Sequence, residues 1–431
     1  MKVVILAGGK GTRLGLDGIP KPMAPVDGKP LLERLVQTAK AAGFTEFVFL
    51  NGFLGQVIED HFGDGSRFGV QIEHVSEQEP LGPAGAVRMV RHLLTEPFIV
   101  IYGDILIDVD LRHFANFALE HGGAGTLFVH PNDHPHDSDL LETDETGRIV
   151  SFYPKPRKDG ERLPNLVSAA LYVLFPEAID FVPEHGTSDW GRDVFAEIIT
   201  SRPLYAYRSV EYAKDIGTPS RLRRAEEHLR QGRVADLSRR HLKAAIFTDR
   251  DGVLNEERDG VLAPDNMRIL PGVADAVRRV NEAGIPLICA TNQPFLAKGQ
   301  LTWAALRQVH AELDCQLAES GGYLDDVFIC PHHPDRGWAE EITELKIECD
   351  CRKPKPGLLL KAAEYHALDL AKSWLIGDRY CDIAAAKSVG TKGILVQTGH
   401  AGKDRAKFEV EPDLIVDDFA TAVDYLLRVS E

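Results

Sequence analysis

One pattern constrains the fold of this chain more than any other, and it occurs twice. A short apolar run opens directly into glycines and charged residues, first as VVILAGGKGTRL at residues 3–14 and again as AAIFTDRDGVLN at residues 244–255. Such a run is typical of a β-strand buried on both faces. The polar loop after it lies at the carboxyl end of the strand, where open α/β sheets bind ligands. The two occurrences of this pattern therefore predict two α/β domains, each with its own site.

Length and charge distribution support that division. The 431 residues are 44% hydrophobic and 26% charged, which is enough to build two cores. A highly charged stretch at residues 221–243 is poor in core-forming residues, which predicts a solvated helix followed by a short linker. We therefore expect a first domain at residues 1–232, a linker at 233–243 and a second domain at 244–431.

Overall charge excludes several classes of partner. The formal net charge of -16 argues against general binding of nucleic acid or of an anionic membrane surface. The sequence contains no run of 18 or more apolar residues, and its N-terminal run is too short for a secretory signal. Six cysteines in a chain of this length make no disulfide framework. We expect a cytoplasmic protein that acts on small molecules, and the oligomeric state stays open.

Further apolar runs alternate with helical stretches in both halves. They are EFVFL, FIVIYGD and ALYVLF in the first half, and AAIFTD, PLICATN, DVFIC, SWLIGD and KGILVQT in the second. Continuous apolar runs with helices between them predict parallel strands buried on both faces. Several of these runs end in a polar residue that we expect at a ligand-binding edge: Asp104, Asp249, Thr291 and Asp378.

The first polar loop combines glycines with basic residues. Gly8, Gly9 and Gly11 would let backbone N–H groups approach a phosphate, and Lys10 and Arg13 add positive charge. The loop matches neither the Walker pattern nor the dinucleotide fingerprint. Taken alone, a glycine-rich turn can be merely a turn.

Three residues further along the chain strengthen the phosphate interpretation. Lys21 stands between two prolines, Asp104 ends a predicted strand, and Asp215 lies in a glycine-bearing loop. Two carboxylates, a glycine loop and a fixed lysine predict a site for Mg²⁺ and a triphosphate. The alternative is that the aspartates are helix caps or turn formers.

As a set, LAGGKGTRL…PKPM, PLGPAGAV, the Gly-Asp at 104, the Lys-Pro at 155 and DIGTP resemble the sugar-1-phosphate nucleotidyltransferases, which have a Rossmann-like fold. The resemblance implies that the triphosphate is held by Gly8, Gly9, Gly11, Thr12, Arg13, Lys21 and Gly82. It further implies Mg²⁺ on Asp104 and Asp215, and a sugar 1-phosphate at Lys155. Arg13 and Lys21 would neutralise charge during transfer.

Two departures from that family bear on the sugar. Pro154 stands where the family usually has Glu, and the usual VNAG strand reads VSAA at residues 167–170. Both positions are expected near the sugar pocket. They therefore affect the expected identity of the sugar more than the expected transfer chemistry, and the sugar stays open.

The second polar loop carries two aspartates one residue apart. Asp249 and Asp251 can face one ligand at the end of a strand, and like charges this close are costly without a cation or a shared proton. That cost predicts Mg²⁺. One carboxylate could then act as nucleophile, and the other, partly protonated, as general acid and base.

Thr291, Lys353 and Asp378 follow in order, and the set resembles the phosphatases of the haloacid-dehalogenase type. By this resemblance Asp249 forms an aspartyl phosphate and Asp251 moves the proton. Thr291 and Lys353 bind phosphoryl oxygens. Mg²⁺ lies on the three aspartates, with Asp251 contributing its carbonyl. Asn292 and Arg352 are implied at the substrate. Residues 294–295 read Pro-Phe where the family commonly reads Ser-Gly.

Between Thr291 and Lys353 lie two close sets of metal-binding residues, CPHHP at 330–334 and CDC at 349–351. Three cysteines and a histidine match a tetrahedral structural Zn²⁺ site, with unligated thiols as the alternative and a disulfide the weakest interpretation. The motif resembles the zinc hook of heptose bisphosphate and histidinol phosphatases. That resemblance implies Cys330, His332, Cys349 and Cys351 as ligands, although the sequence does not choose between His332 and His333. The remaining cysteines are expected to be core or incidental: Cys289, Cys315 and Cys381.

The fusion itself narrows the function. A phosphatase that removes the C7 phosphate of heptose 1,7-bisphosphate leaves heptose 1-phosphate, which a sugar nucleotidyltransferase can use. We therefore expect a bifunctional enzyme of activated D-glycero-D-manno-heptose synthesis with GTP as donor. The alternatives are another nucleotide, another phosphatase substrate such as histidinol phosphate, or one half as a non-catalytic regulatory module. Anomer preference and channelling stay open.

Overall fold

The computed structural model describes residues 1–9, 14–15, 18–158 and 160–430. They pack as two units. One comprises Met1–Val129, Leu141–Lys155 and Ser168–Arg239, and the other His130–Leu140, Pro156–Val167 and the chain from Arg240 onward. The units are defined by packing rather than by independent folding, so the boundaries at 232 and 244 remain predictions.

The strands of the first unit are short and mostly buried. They are β1 (Val3–Ala7), β2 (Pro25–Val26), β3 (Lys29–Pro30), β4 (Glu46–Asn51), β5 (Gln71–Ser76), β6 (Phe98–Tyr102), β7 (Ile105–Asp108), β8 (Gly125–His130), β9 (Leu140–Thr143), β10 (Ile149–Tyr153), β11 (Val167–Leu174), β12 (Leu204–Arg208) and β13 (Tyr212–Asp215).

Nine of these strands form one sheet in the described chain, with the order β10-β9-β11-β6-β1-β4-β5 and with β8 joining β11 to β12. β1 runs parallel to β4 and β6, so Val3 lies opposite both Phe47 and Ile99. β11 runs antiparallel to β6. The prediction of a parallel strand was therefore wrong for ALYVLF, because an apolar run reports burial on both faces but not chain direction.

Helices connect the strands of the first unit. They are α1 (Leu31–Ala41), α2 (Gly55–Phe62), α3 (Gly82–Met89), α4 (Leu111–His121), α5 (Phe195–Ser201), α6 (Pro219–Arg230) and α7 (Arg233–Asp236). α6 begins where the Thr218 hydroxyl accepts the N–H of Arg221, followed at once by Pro219, a common start for a helix. Part of the predicted linker thus forms α7, whose Val234 packs with Tyr212.

The second unit contains a six-stranded sheet in which all neighbouring strands of the described chain run parallel. Its strands are β14 (Ile246–Thr248), β15 (Leu287–Asn292), β16 (Asp326–Cys330), β17 (Trp374–Gly377), β18 (Lys392–Val396) and β19 (Leu414–Val416), in the order β16-β15-β14-β17-β18-β19. The five parallel strands predicted here are confirmed. The first strand, β14, lies in the middle of the sheet, so its carboxyl end has a neighbour on each side.

The helices described in the second unit are α8 (Val273–Ala283), α9 (Trp303–Ala318), α10 (Gly357–His366), α11 (Tyr380–Ser388) and α12 (Phe419–Ser430). The residues of α8 that face the sheet are buried against β14 and β15, as the cluster of Val277, Ile246 and Leu287 illustrates. Both units thus have the predicted α/β class. Within the described chain, no helix is both long and apolar enough to span a membrane.

Candidate active sites

In the first unit, strand pairing brings two of the predicted metal-binding aspartates together. β13 pairs antiparallel with β7, which places Asp215 opposite Ile105, the residue after Asp104. The N–H of Ile216 also donates to the carbonyl of Asp104 over 2.9 Å. The two residues, 111 positions apart in the sequence, therefore lie at the same end of one small sheet.

Lys21 points at this pair. Its Nζ lies 2.5 Å from Oδ2 of Asp104. A Cβ added at Gly217 would lie 3.2 Å from Nζ of Lys21 and 3.0 Å from Oδ1 of Asp215, so Gly217 adjoins both the ammonium group and the second carboxylate. The flanking prolines restrict the backbone around Lys21. The arrangement matches a positively charged group held ready for a phosphate.

Asp215 has a second cationic partner that sequence reasoning missed. Nη1 of Arg221 donates to Oδ1 and Oδ2 of Asp215 over 2.9 and 3.0 Å, and the N–H of Gly217 donates to Oδ1 over 3.0 Å. Arg221 lies in the first turn of α6, three residues after Thr218. The sequence could have indicated this partner, because Arg221 lies in the first turn of the helix that begins directly after the DIGT segment.

A cavity of about 420 Å³ opens beside these side chains. Two of its walls are the loop of Gly8 and Gly9 and the start of α3 at Gly82. Gly82 has φ +74°, and a Cβ there would lie 2.5 Å from the carbonyl oxygen of Ser188, so only glycine fits. The full set of lining residues is Leu6, Gly8, Gly9, Lys21, Pro22, Glu77, Pro80, Gly82, Pro83, Ala86, Tyr102, Gly103, Asp104 and Gly217.

Not every predicted residue of the first site can be placed. Gly11, Thr12 and Arg13 lie outside the described residues. Lys155 is described but does not line the cavity. Sequence reasoning also missed Glu77, which does line it. The carboxylate of Glu77 accepts the N–H of Leu81 over 3.0 Å, and burial raises its pKa.

In the second unit, the nucleophile candidate and its lysine meet at the middle of the sheet. Asp249 directly follows β14, and Nζ of Lys353 lies 3.0 Å from its Oδ1. The same Nζ lies 2.7 Å from Oδ1 of Asp382, which sequence reasoning missed. Asp382 follows Asp378 by four residues, and that spacing across the start of α11 could have identified it.

Asp378 lies in a tight backbone cradle. A Cβ added at either Gly252 or Gly399 would come within 2.3 Å of its Oδ2. The N–H of His400 donates to Oδ2 over 2.6 Å, whereas Oδ1 is buried and has no hydrogen-bond partner among the described residues. Burial, then the charges of Asp249 and Asp382, raise the pKa of Asp378 to about 8.

The three buried carboxylates form a candidate cation site. Ligand oxygens of Asp249, Asp378 and Asp382 all lie within 4.8 Å of one another. Burial and the charge of Asp249 also raise the pKa of Asp382 to about 6, although Lys353 opposes the shift. Carboxylates this close repel one another, and a hard cation such as Mg²⁺ removes that cost. The unpartnered oxygen of Asp378 fits the same interpretation.

Asp251 is fixed by a buried arginine. Arg250 is fully buried and donates to both carboxylate oxygens of Asp251 over 2.8–3.1 Å. Burial raises the pKa of Asp251, but Arg250, Asn255 and Gln293 together outweigh it and leave the pKa below its ordinary value. This direction runs against the expectation of a partly protonated Asp251, because that expectation did not count the arginine between the two aspartates.

The end of β15 supplies polar side chains to the same site. Gln293 donates to Oγ1 of Thr291 over 3.1 Å and to Oδ2 of Asp251 over 2.9 Å. Asn292 exchanges two hydrogen bonds of 3.1 Å with the backbone of Lys353. Asn292, predicted at the substrate, thus holds the segment that carries Lys353.

The cysteine and histidine residues of the predicted hook meet in space. Sγ of Cys349 lies 3.6 Å from Cys330 and 3.3 Å from Cys351, and Nδ1 of His332 lies 3.2 Å from Sγ of Cys351. Tetrahedral ligands at the usual Zn–S and Zn–N lengths lie about 3.4–3.8 Å apart, so the donor set fits Zn²⁺. All six cysteines are free thiols.

His333 is turned to another partner. Its Nδ1 accepts the N–H of Asp335 over 3.2 Å, while His332 lies in the cluster. Nη1 of Arg352 donates to the carbonyl of His332 over 3.3 Å. Because Arg352 directly precedes Lys353, the cysteine cluster and the buried lysine belong to one continuous segment.

Comparisons with known proteins match two different parts of the chain. The nucleotidyl transferase family profile matches residues 2–232, and a HAD-hydrolase-like profile matches residues 350–422. The D-glycero-beta-D-manno-heptose-1,7-bisphosphate 7-phosphatase of Escherichia coli K12 is 42% identical over 157 residues, which are 36% of this chain and 80% of that protein. The same-named protein of Pseudomonas aeruginosa is 36% identical over 187 residues, 43% of this chain and 99% of its own.

Solved structures resemble each half separately. A D,D-heptose 1.7-bisphosphate phosphatase from B. bronchiseptica, complexed with magnesium and phosphate, is 36% identical over 43% of this chain and 99% of its own, with a TM-score of 0.39. HddC from Yersinia pseudotuberculosis complexed with GMP-PN is 26% identical over 53% of this chain and 99% of its own, with a TM-score of 0.46.

Residues 2–232 and residues 350–422 thus match the profiles of two different families. Over residues 2–232 the chain belongs to the nucleotidyl transferase family, and its C-terminal part belongs to the HAD-like family that contains the D-glycero-beta-D-manno-heptose-1,7-bisphosphate 7-phosphatases, so that it is a nucleotidyltransferase and a phosphatase in one polypeptide.

Proposed function

We propose that this enzyme performs two consecutive steps in the synthesis of a nucleotide-activated heptose. The second unit removes the C7 phosphate from D-glycero-D-manno-heptose 1,7-bisphosphate. The first unit then transfers a nucleoside monophosphate, from GTP, to heptose 1-phosphate and releases pyrophosphate. One observation carries the proposal: a chain whose C-terminal part is 36–43% identical to heptose bisphosphate 7-phosphatases also carries the domain that would use their product.

The phosphatase reaction follows from the placement of four side chains. A carboxylate oxygen of Asp249 attacks the C7 phosphorus, the bond from phosphorus to the C7 oxygen breaks, and that oxygen takes up, through Asp251, the proton that the phosphate monoanion carries. Asp251 then accepts a proton from a water molecule that attacks the aspartyl phosphate and releases inorganic phosphate. Thr291 and Lys353 hold the phosphoryl oxygens, and Lys353 already lies 3.0 Å from Asp249.

Mg²⁺ fits the same site. Asp249 and Asp378 would hold it through carboxylate oxygens, and the backbone carbonyl of Asp251 would complete the protein's contribution. The ion, when bound, neutralises charge on the phosphoryl group and on the carboxylates. Its fit rests on the close carboxylate oxygens and on the unpartnered oxygen of Asp378.

The transferase reaction needs no general base. A phosphate oxygen of heptose 1-phosphate is already an anionic nucleophile and attacks the α-phosphorus of the nucleotide, from which pyrophosphate departs. Lys21 would neutralise developing charge, and Asp104 and Asp215 would hold Mg²⁺. Arg13, Thr12 and Gly11 complete the predicted phosphate loop, and Lys155 is the predicted contact to the sugar 1-phosphate.

A structural Zn²⁺ completes the proposed cofactors. Cys330, His332, Cys349 and Cys351 would hold it and so fix the segment that leads to Lys353. The remaining partners are small molecules, namely sugar phosphates and a nucleoside triphosphate. Cysteines that are not paired in disulfides are consistent with a reducing compartment such as the cytoplasm.

The test is a coupled turnover assay on the purified full-length chain. Protein with Mg²⁺ receives D-glycero-D-manno-heptose 1,7-bisphosphate and one of GTP, ATP, UTP, CTP or dTTP, and mass spectrometry follows phosphate, pyrophosphate and nucleotide-sugar. We expect all three products with GTP. Asp249→Asn should stop the sequence at the bisphosphate, and added heptose 1-phosphate should restore nucleotide-sugar formation. Asp417→Asn, an exposed matched change, should act like the wild type.

Failure to release phosphate from the heptose bisphosphate would contradict the proposal. Histidinol phosphate and other sugar bisphosphates, tested in the same assay, would then identify the substrate of the second unit. If phosphate is released but none of the five nucleotides yields a nucleotide-sugar, the function proposed for the first unit is wrong instead.

A further inference from the structure

Each of the two aspartates at the proposed metal site of the first unit is paired with a basic side chain. Nζ of Lys21 lies 2.5 Å from Oδ2 of Asp104. Nη1 of Arg221 donates to Oδ1 and Oδ2 of Asp215 over 2.9 and 3.0 Å. These four side chains carry equal numbers of positive and negative charges, so their own charges balance.

A divalent cation on the two carboxylates changes this balance. Carboxylate oxygens are the ligands that Mg²⁺ prefers, and the lysine and the arginine contact the same oxygens. An ion bound there would leave the site with an excess of positive charge, and both basic side chains would lose part of their attraction to the carboxylates. Such an excess suits phosphate groups, the anions on which the first unit is proposed to act.

Neither helix formation nor fold stability accounts for the arginine at position 221. It lies in the first turn of α6, where the helix dipole favours anionic side chains, and that turn contains no acidic residue. The cap of the helix is the Thr218 hydroxyl, which accepts the backbone N–H of residue 221 whatever its side chain. The side chains of Arg221 and Asp215 are 31% and 38% exposed, and ion pairs this exposed stabilise a fold little.

The pair of Arg221 and Asp215 adjoins the cavity of the first unit through Gly217. Gly217 lines that cavity together with Lys21 and Asp104. Its N–H donates to Oδ1 of Asp215 over 3.0 Å, which holds the carboxylate beside the cavity wall. The rotatable bonds of arginine let the guanidinium of Arg221 turn toward a ligand while α6 stays in place.

We infer that Arg221 is a phosphate-binding residue of the first unit, which pairs with Asp215 until Mg²⁺ binds that carboxylate and then binds a phosphate group of a substrate. The inference rests on the Mg²⁺ site proposed for the nucleotidyltransferase and deepens it. A guanidinium suits both partners, because its planar N–H groups match carboxylate and phosphate oxygens alike. The phosphate belongs to the nucleoside triphosphate or to the sugar 1-phosphate, and separate measurements distinguish these two sources.

The test compares four forms of the full-length protein: wild type, Arg221→Met, Arg221→Lys and Arg223→Met. Arg223 is exposed and lies two residues further along the same helix, so its variant is the matched control. Calorimetry in Mg²⁺ measures binding of GTP, ATP, UTP, CTP and dTTP, and transfer kinetics at saturating nucleotide give the KM of heptose 1-phosphate.

A third measurement reports the metal site without any substrate. Electron paramagnetic resonance measures binding of Mn²⁺, which prefers the same oxygen ligands as Mg²⁺. For this measurement each of the four forms also carries Asp378→Asn, which weakens the proposed cation site of the second unit. Thermal unfolding of every sample reports whether it is folded.

We expect Arg221→Met to weaken the nucleotide or the sugar phosphate by roughly 10- to 100-fold, the range for losing a hydrogen bond to a charged group. The same variant should bind Mn²⁺ at least as tightly as the wild type, because a cation that competes for Asp215 is gone. Arg221→Lys keeps the charge but loses the planar fork, so it should show an intermediate loss of phosphate binding. Arg223→Met should match the wild type.

Two outcomes would overturn the inference. One is unchanged binding of both phosphate ligands in Arg221→Met, and the other is a joint weakening of Mn²⁺ and the phosphate ligands, which indicates a structural role. Should Arg221→Met not fold, wild-type binding of both phosphate ligands by Arg221→Lys contradicts the inference instead. Wild-type protein that binds nucleotide but does not transfer to heptose 1-phosphate contradicts only the proposed sugar, and nucleotide binding alone then decides the role of Arg221.

Discussion

Nζ of Lys353 lies 2.7 Å from Oδ1 of Asp382, and the two side chains are essentially inaccessible to solvent. The same ammonium group reaches Asp249 over 3.0 Å. Burial alone would lower the pKa of Lys353, but the two carboxylates raise it, so the lysine stays charged. One buried ammonium group thus lies between two buried carboxylates, one of them the proposed nucleophile of the phosphatase unit.

Removing that cation should cost both activity and stability. Lys353→Met leaves Asp249 and Asp382 buried side by side, which we expect to destabilise the unit by about 3–5 kcal/mol. Phosphate release should be lost. Urea unfolding and a phosphate assay measure the two effects. The double variant Lys353→Met/Asp382→Asn should recover part of the stability without activity, because one buried charge is also gone.

Lys355→Met is the matched control, since this lysine is two residues away and about half exposed. It should leave phosphate release and the urea midpoint unchanged. A stable, active Lys353→Met protein would contradict the assignment of Lys353 to the phosphoryl group.

The carboxylate cluster predicts how stability depends on pH when Mg²⁺ is absent. The pKa of Asp378 is raised to about 8, whereas an aspartate in an unfolded chain titrates near 3.9. Between these values the folded protein binds more protons than the unfolded chain. The free energy of unfolding should therefore fall as pH rises from about 5 to 8, by at most about 1.4 kcal/mol per pH unit from this group.

Urea unfolding at several pH values, with Mg²⁺ removed by gel filtration, measures this slope. Asp378→Asn should flatten it, and added Mg²⁺ should flatten it in the wild type by binding the ionised form. A slope of the opposite sign in the wild type, or an unchanged slope in Asp378→Asn, would show that the pKa of Asp378 is not raised in the metal-free protein.

The cysteine cluster predicts the metal content of the protein. Freshly purified enzyme should contain about one equivalent of zinc by elemental mass spectrometry, and Cys349→Ala should lose it because three ligands hold Zn²⁺ far less tightly than four. Phosphate release should fall in the same variant, since the cluster and Lys353 share one segment. Cys315→Ala, which removes a cysteine outside the cluster, should keep the zinc. Absence of zinc from freshly purified wild-type protein would contradict the proposed zinc site.

The aspartate beside Lys21 predicts that the two activities can be separated. Asp104→Asn removes a carboxylate from the proposed Mg²⁺ site and from its 2.5 Å contact with Lys21. Pyrophosphate release in the presence of heptose 1-phosphate should fall by at least about 100-fold, on the scale of losing an electrostatic catalytic group. Phosphate release from the bisphosphate should continue at the wild-type rate.

Asp60→Asn, an exposed change in the same unit, should leave both rates intact. Loss of both activities in Asp104→Asn would instead point to a structural role for Asp104 and would leave the transferase site unassigned.

Much of the fold and of both sites could be read from local sequence. Apolar runs identified four of the nine strands in the larger sheet of the first unit and five of the six in the second unit, as far as the structure describes them, because burial on both faces excludes polar residues along a strand. Polar residues predicted at the ends of such runs, such as Asp249 and Asp104, follow the same logic. The antiparallel direction of β11 was not predicted, because the burial of a strand does not depend on the direction in which the strand runs.

Only the tertiary structure revealed which distant residues share a charge or a hydrogen bond. Asp382, Arg221 and Glu77 were not predicted, yet each lies beside a predicted site residue or lines the same cavity. The expectation that Asp251 is partly protonated likewise failed because of a spatial contact, since the buried guanidinium of Arg250 lowers the pKa of Asp251. Coulomb energy and desolvation depend on distance and burial, and neither is encoded in sequence separation.

The sequence by itself determined which chemical groups this protein has and at which strand ends they lie, because periodicity and residue type are local properties. The tertiary structure decided which of those groups act together: His332 rather than His333 in the cysteine cluster, and Asn292 at the backbone of Lys353. Those choices depend on contacts of a few ångströms between segments far apart in the chain, and only folding sets such distances.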